Sequence, residues 1–125
     1  MKCIQLWKLW SGSDPNNPFV LEAQERMSKY SKEDWSEMAK EATELMQDMG
    51  YIVKNNLGEL PEEIFDRLTH HYTRWFYTPR KWTINKAAAN SIGHDGYIEF
   101  LNQYAPGLNL YVFRMCRKYV YKVPG

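Results

Sequence analysis

The chain has 125 residues, 44% of them hydrophobic and 25% charged, with a formal net charge of +1. That is the length of one domain and the composition of a globule, which excludes a disordered chain. Near-neutral charge argues against a nucleic acid as partner, because phosphate binding needs clustered positive charge.

The segment 1–13 places Trp7 and Trp10 among Ile4, Leu6 and Leu9 with neither helical nor strand spacing. The stretch 11–18 is a loop on turn chemistry. With the arm it makes a first unit, 1–18, ahead of a helical ligand-binding unit, 19–125. Phe19, Ala23, Met27 and Tyr30 predict a short helix from Phe19 to Tyr30. Ser31 with Asp34 forms a capping box, Asp standing where Glu is usual. Trp35, Met38, Ala39, Ala42, Leu45, Met46 and Met49 then recur at helical spacing, and Gly50 is the expected stop.

A connector follows, and Pro61 suits the first position of the next helix, with Glu62 and Glu63 at its positive dipole end. Its inward stripe is Ile64, Phe65, Leu68, His71, Tyr72, Trp75 and Phe76, and Pro79 ends it. Thr83 is the expected cap of a helix from Ile84 to Ile92, closed by Gly93. Asp95 is the expected cap of another, through Tyr97, Ile98, Leu101 and Tyr104, interrupted at Pro106. The last helix carries Leu108, Tyr111, Val112, Met115, Cys116, Tyr119 and Val120 on one face, and 119–123 is read as an extended tail. Every strong element is helical, so the fold class is all-α, a small globin-like packing.

Three segments in this order resemble the TipAS family, the antibiotic-recognition domain of MerR-type transcription activators. They are Ser31-Lys32-Glu33-Asp34-Trp35, Arg74-Trp75-Phe76-Tyr77 and Tyr104-Ala105-Pro106-Gly107-Leu108. The similarity covers roughly residues 20–121. It implies a globin-like fold with a cleft for bulky antibiotics of thiopeptide or multidrug type, whose occupancy is relayed to a DNA-binding part. No winged helix-turn-helix is present in these residues, so the resemblance implies the drug-binding module standing alone. Members that capture thiopeptides covalently carry a cysteine just after the aromatic helix end. Here that stretch reads Thr78-Pro79-Arg80-Lys81-Trp82. The stretch 82–95 also departs from the family pattern, which implies a different ligand range.

Aromatic residues make up 15% of the chain. Rings at helical spacing serve a core as readily as a ligand box, and both readings stand. The excess of rings favours a cleft whose Tyr and Trp tips seek hydrogen bonds at its edge. The binding candidates are Trp35, Tyr72, Trp75, Phe76, Tyr104 and Tyr111. Trp7 and Trp10 form a flap over the ligand, a docked segment or a swapped element of a homodimer. A protein–protein adaptor that keeps the fold without the pocket, bound to a partner regulator, is the alternative function.

No cofactor, metal site or catalytic set is expected. His70 and His71 point about 100° apart on a helix and cannot share a metal. A haem on His71 is the remote reading, and a core-edge histidine bonded to a carbonyl is the expected one. Arg114, Arg117, Lys118 and Lys122 read as a solvated basic end. Cys3 and Cys116 lie far apart in no CxxC spacing, which suits a reducing cytoplasm, with a single disulfide left open. No apolar run approaches the roughly 20 residues of a membrane span, and Gln5 and Lys8 break the only stretch that resembles a signal peptide.

Overall fold

The computed structural model describes residues 14–125, which form six α-helices and a closing 3-10 turn. Helix α1 is Pro18–Met27, α2 Lys32–Lys54, α3 Glu62–Trp75, α4 Lys81–Gly93, α5 Asp95–Asn102 and α6 Leu108–Tyr119. The all-α expectation holds over these residues; the arm with Trp7 and Trp10 lies outside them.

Local chemistry explains most boundaries. Asn17 accepts a hydrogen bond from the Phe19 amide at 2.9 Å and Pro18 occupies the first turn of α1, where its missing N–H costs nothing. The capping box at Ser31 is present in both directions. The Asp34 amide donates to the Ser31 hydroxyl at 3.1 Å, and the Ser31 amide donates to the Asp34 carboxylate at 3.0 Å.

Several expected boundaries move. Gly50 does not stop α2, which continues to Lys54. Gly50 is buried beside Tyr104 and Ala105, inside the helix rather than at its end. The stop is a Schellman turn in which Asn56 takes φ 52°. The Asn56 and Leu57 amides donate to the Val53 and Ile52 carbonyls, each at 3.2 Å.

Pro61 precedes α3 as its extended cap rather than opening it. Thr83 lies inside α4, and its hydroxyl reaches back to the Arg80 amide at 2.9 Å. His94, not Asp95, caps α5, its Nδ1 accepting from the Tyr97 amide at 3.4 Å. The tail is a 3-10 turn, Val120–Lys122, rather than an extended strand.

Helix α6 is the central element, packed on α2, α3, α4 and α5. Its face of Leu108, Tyr111, Val112, Met115, Cys116 and Tyr119 joins Leu45 and Met49 of α2, Phe65 and Leu68 of α3, and Ile84 of α4 in the main core. A second core brings Val20 and Ala23 of α1 to Met38 of α2 and to Trp75, Phe76 and Tyr77 at the end of α3. Tyr72 packs against both cores. The chain end is tied down by the Tyr119 hydroxyl, which donates to the Leu60 carbonyl, and by Lys122 against Asp66 and Glu62.

Candidate functional site

The end of α3 gathers the aromatic side chains. The Phe76 and Tyr77 amides both donate to the Tyr72 carbonyl, at 2.8 and 2.9 Å, which closes the helix before Thr78-Pro79. This turn folds Tyr77 back so that its ring stacks on Tyr72, with centroids 5.5 Å apart and planes 23° off parallel. Phe76 lies tilted against Tyr72 at 5.9 Å and edge-on to His71 at 5.9 Å. Tyr30, from the loop after α1, stands edge-on to Trp75 at 5.5 Å and to Trp35 at 5.8 Å. Its hydroxyl donates to the Trp75 carbonyl at 2.5 Å, while Arg26 donates to the Thr73 carbonyl at 2.6 Å. Two late carbonyls of α3 are thereby satisfied from α1 and its following loop, a side-chain substitute for helix propagation.

One carboxylate organises the polar side of this cluster. Glu41 of α2 meets His71 Nδ1 at 2.6 Å and accepts from Trp75 Nε1 at 3.1 Å and Arg74 Nη1 at 3.0 Å. Arg74 also reaches Glu37 at 2.7 Å, and its guanidinium lies 4.4 Å from the centre of the Trp75 ring. Burial holds the His71 imidazole below its ordinary value, although Glu41 pulls it upward. The neutral ring therefore donates its Nδ1–H to the carboxylate. Burial raises the Glu41 carboxyl, but the hydrogen bonds from His71 and Trp75 and the Arg74 charge outweigh it and leave it below its ordinary value. The expectation of a histidine bonded to a carbonyl is thus corrected: its partner is a carboxylate. Glu41 was not legible as a site residue. Its only signal was the step from Glu37 to Glu41, one helical turn beside the inward positions Met38 and Ala42.

The six binding candidates fall into two groups. Trp35, Tyr72, Trp75 and Phe76 share the second core. Tyr104 and Tyr111 belong to the main core, Tyr104 edge-on to Phe100 at 5.7 Å. Trp75, Phe76 and Tyr111 are buried, and Trp35, Tyr72 and Tyr104 are half-buried. Between the cores lies a cavity of about 30 Å³, lined by Met46, Met49, Leu68, Tyr72 and Tyr97 among others. Burial drives the Tyr72 hydroxyl well up and pushes that of Tyr97 to about 12, so both are held as neutral phenols. Tyr77, which closes the Arg74-Trp75-Phe76-Tyr77 motif but is not among the binding candidates, also has its hydroxyl raised by burial.

This arrangement offers ring faces, phenolic donors and two pliable thioethers. Cys116 is a free buried thiol, pushed up to about 12 by burial. His70 is exposed while His71 is buried, so the pair is divided as helix geometry requires. Among the described residues, no three His, Cys, Asp or Glu side chains are grouped to hold a metal. No helix among them is long and apolar enough to cross a membrane.

A family model for the TipAS antibiotic-recognition domain matches residues 9–119. No curated protein and no solved structure matches the chain. The family match takes in all six helices and nearly the whole sequence, and by it the chain belongs to the TipAS antibiotic-recognition domain family.

Proposed function

We propose that this domain recognises or sequesters a bulky, largely aromatic antibiotic of thiopeptide or multidrug type without chemical turnover, as an effector module of the kind found in MerR-type activators. The observation that carries this reading is the pair of half-buried tyrosines, Tyr72 and Tyr97, on the wall of the cavity between the two cores, in a chain of an antibiotic-recognition family. Tyr72 and Tyr97, kept as neutral phenols, bring aromatic surface to that cavity, and a pocket of this kind takes an apolar guest with few polar fixings. Met46 and Met49 shift rotamer at little cost, so the seam can widen around a guest.

Trp35, Trp75 and Phe76 support that seam from α2 and the end of α3; for Trp7 and Trp10, outside the described residues, the role proposed is a flap over the bound ligand. The test is intrinsic tryptophan fluorescence and thermal shift with thiopeptides and a varied antibiotic panel. It is repeated on Tyr72→Ala and on a chain lacking residues 1–13. Binding quenches fluorescence and raises the melting temperature; both changes weaken the response. Silence across the panel would sink the proposal.

A cavity of about 30 Å³ holds one water, not a drug. That observation favours the second reading, an adaptor that keeps the fold and binds a partner regulator. It predicts partner-dependent stabilisation with no response to the antibiotic panel.

A further inference from the structure

A second site lies away from the aromatic seam. The Schellman turn after α2 and the first turns of α6 enclose a half-open groove of about 260 Å³. Ile52, Val53, Leu60 and Leu110 give it apolar walls, and Gly58 and Gly107, both at positive φ, leave it unobstructed by side chains. At ~30 Å³ per water-sized group it accommodates roughly nine heavy atoms.

Two groups lining the groove are hydrogen-bond donors without an acceptor. Tyr111 is 7% exposed, and its hydroxyl is buried with no hydrogen-bond partner among the described residues. Such an orphan is rare in a folded interior, because burial removes water and nothing replaces it. Arg114, one helical turn further along α6, is exposed and forms no ion pair among the described residues. Glu59, on the neighbouring loop, places its negative charge near Tyr111 but does not line the groove.

We propose that this groove binds a small apolar carboxylate of a size matched to its half-open volume. Its oxygens accept from the Tyr111 hydroxyl and the Arg114 guanidinium, and its body lies on Ile52, Val53, Leu60 and Leu110. An amine, protonated at neutral pH, would face the like charge of Arg114 and could not accept from Tyr111. A neutral alcohol would satisfy Tyr111 and leave the guanidinium unpaired, so the carboxylate is the complementary class. The inference is independent of the aromatic seam, since only Tyr111 among the six ring candidates lines this groove.

The test uses phenylacetate and octanoate, with phenethylamine as the opposite-charge control, titrated into the whole chain and followed by amide NMR. Expected are saturable shifts confined to residues 52–60 and 107–114, at least fivefold weaker binding in Tyr111→Phe and in Arg114→Gln, and tighter binding in Glu59→Gln. Tyr111→Phe should keep the melting temperature of the free protein or raise it, because it removes an unsatisfied group. The proposal is overturned if shifts are absent or scattered, if phenethylamine binds equally well, or if Tyr111→Phe leaves the affinity unchanged. A loss of free-protein stability in Tyr111→Phe would also overturn it, by showing that the hydroxyl already has a partner. Binding of a thiopeptide at the seam should be indifferent to both α6 variants, which separates this site from the other.

Discussion

Glu41 and His71 meet at 2.6 Å across the α2–α3 interface, and the same carboxylate oxygen accepts the indole N–H of Trp75 at 3.1 Å. One acid thus orients a histidine and a tryptophan that sit on the inner face of α3 and brings Arg74 over the indole ring. The second core and the polar surface of the domain are joined at this point.

Glu41→Ala strands two inward N–H donors. The expected loss is about 2 kcal/mol, the usual cost of leaving a buried donor unmade. Glu41→Gln keeps an acceptor and should lose about half as much. Combining Glu41→Ala with His71→Ala should cost less than the sum, because both remove the same interaction. Urea unfolding of the wild type, the three single variants and the double variant checks this, and strict additivity would refute the shared hub.

Acid should destabilise the protein in two steps of the same sign. Burial depresses His71 in the folded state from its ordinary value of 6.5. The unfolded chain therefore binds a proton first, and stability falls as pH drops below that value toward the folded one. Glu41 is depressed below its ordinary value of 4.5, so its contribution is present above that pH and is lost as pH falls through the folded value. Urea midpoints should be level near pH 7 and decline from about pH 6.5 downward. His71→Asn retains a donor for Glu41 and should flatten the upper step only. Stability that rises on acidification from neutrality would contradict the assignment.

Cys116 should be chemically silent. With its thiol pushed up to about 12 by burial, Cys116 carries almost no thiolate at pH 8. Iodoacetamide followed by peptide mass spectrometry should leave Cys116 unmodified in the native protein and label it fully in concentrated guanidinium. Any thiopeptide bound by this domain should leave no adduct on the Cys116 peptide, and finding one would overturn the inert reading.

Two glycines should answer alanine in opposite directions. Gly50 is helical, and an added methyl would meet Tyr104 and Ala105 at ordinary contact distances of 3.5–3.7 Å. Gly50→Ala should be neutral or stabilise by up to about 1 kcal/mol. Gly107 has room for a methyl but sits at φ 91° as the cap of α6, so Gly107→Ala should cost about 1–2 kcal/mol in backbone strain. Thermal unfolding of the two variants decides it; equal effects would remove the distinction.

Helix positions were legible because periodicity and caps are local. The stripe from Ile64 to Phe76, apart from half-buried Tyr72, and the face from Leu108 to Tyr119 are buried where the spacing placed them, and the Ser31 box closes as its residue types dictate. Boundaries were less legible where a neighbouring element decided them. Gly50 carries a stop signal in isolation, yet it is buried against Tyr104 and Ala105 and α2 runs on to Lys54. His94 takes the cap that Asp95 was expected to supply, and the tail curls into a 3-10 turn because Lys122 finds Asp66 and Glu62 on α3.

The sequence by itself determined the helical class, the family and the aromatic stock, since each is a property of neighbours along the chain. Only the tertiary structure decided that Glu41 meets His71, that Tyr72 bridges two cores, and that the Tyr111 hydroxyl is buried without a partner. Those are distances between residues tens of positions apart, fixed by how the helices pack rather than by any local preference.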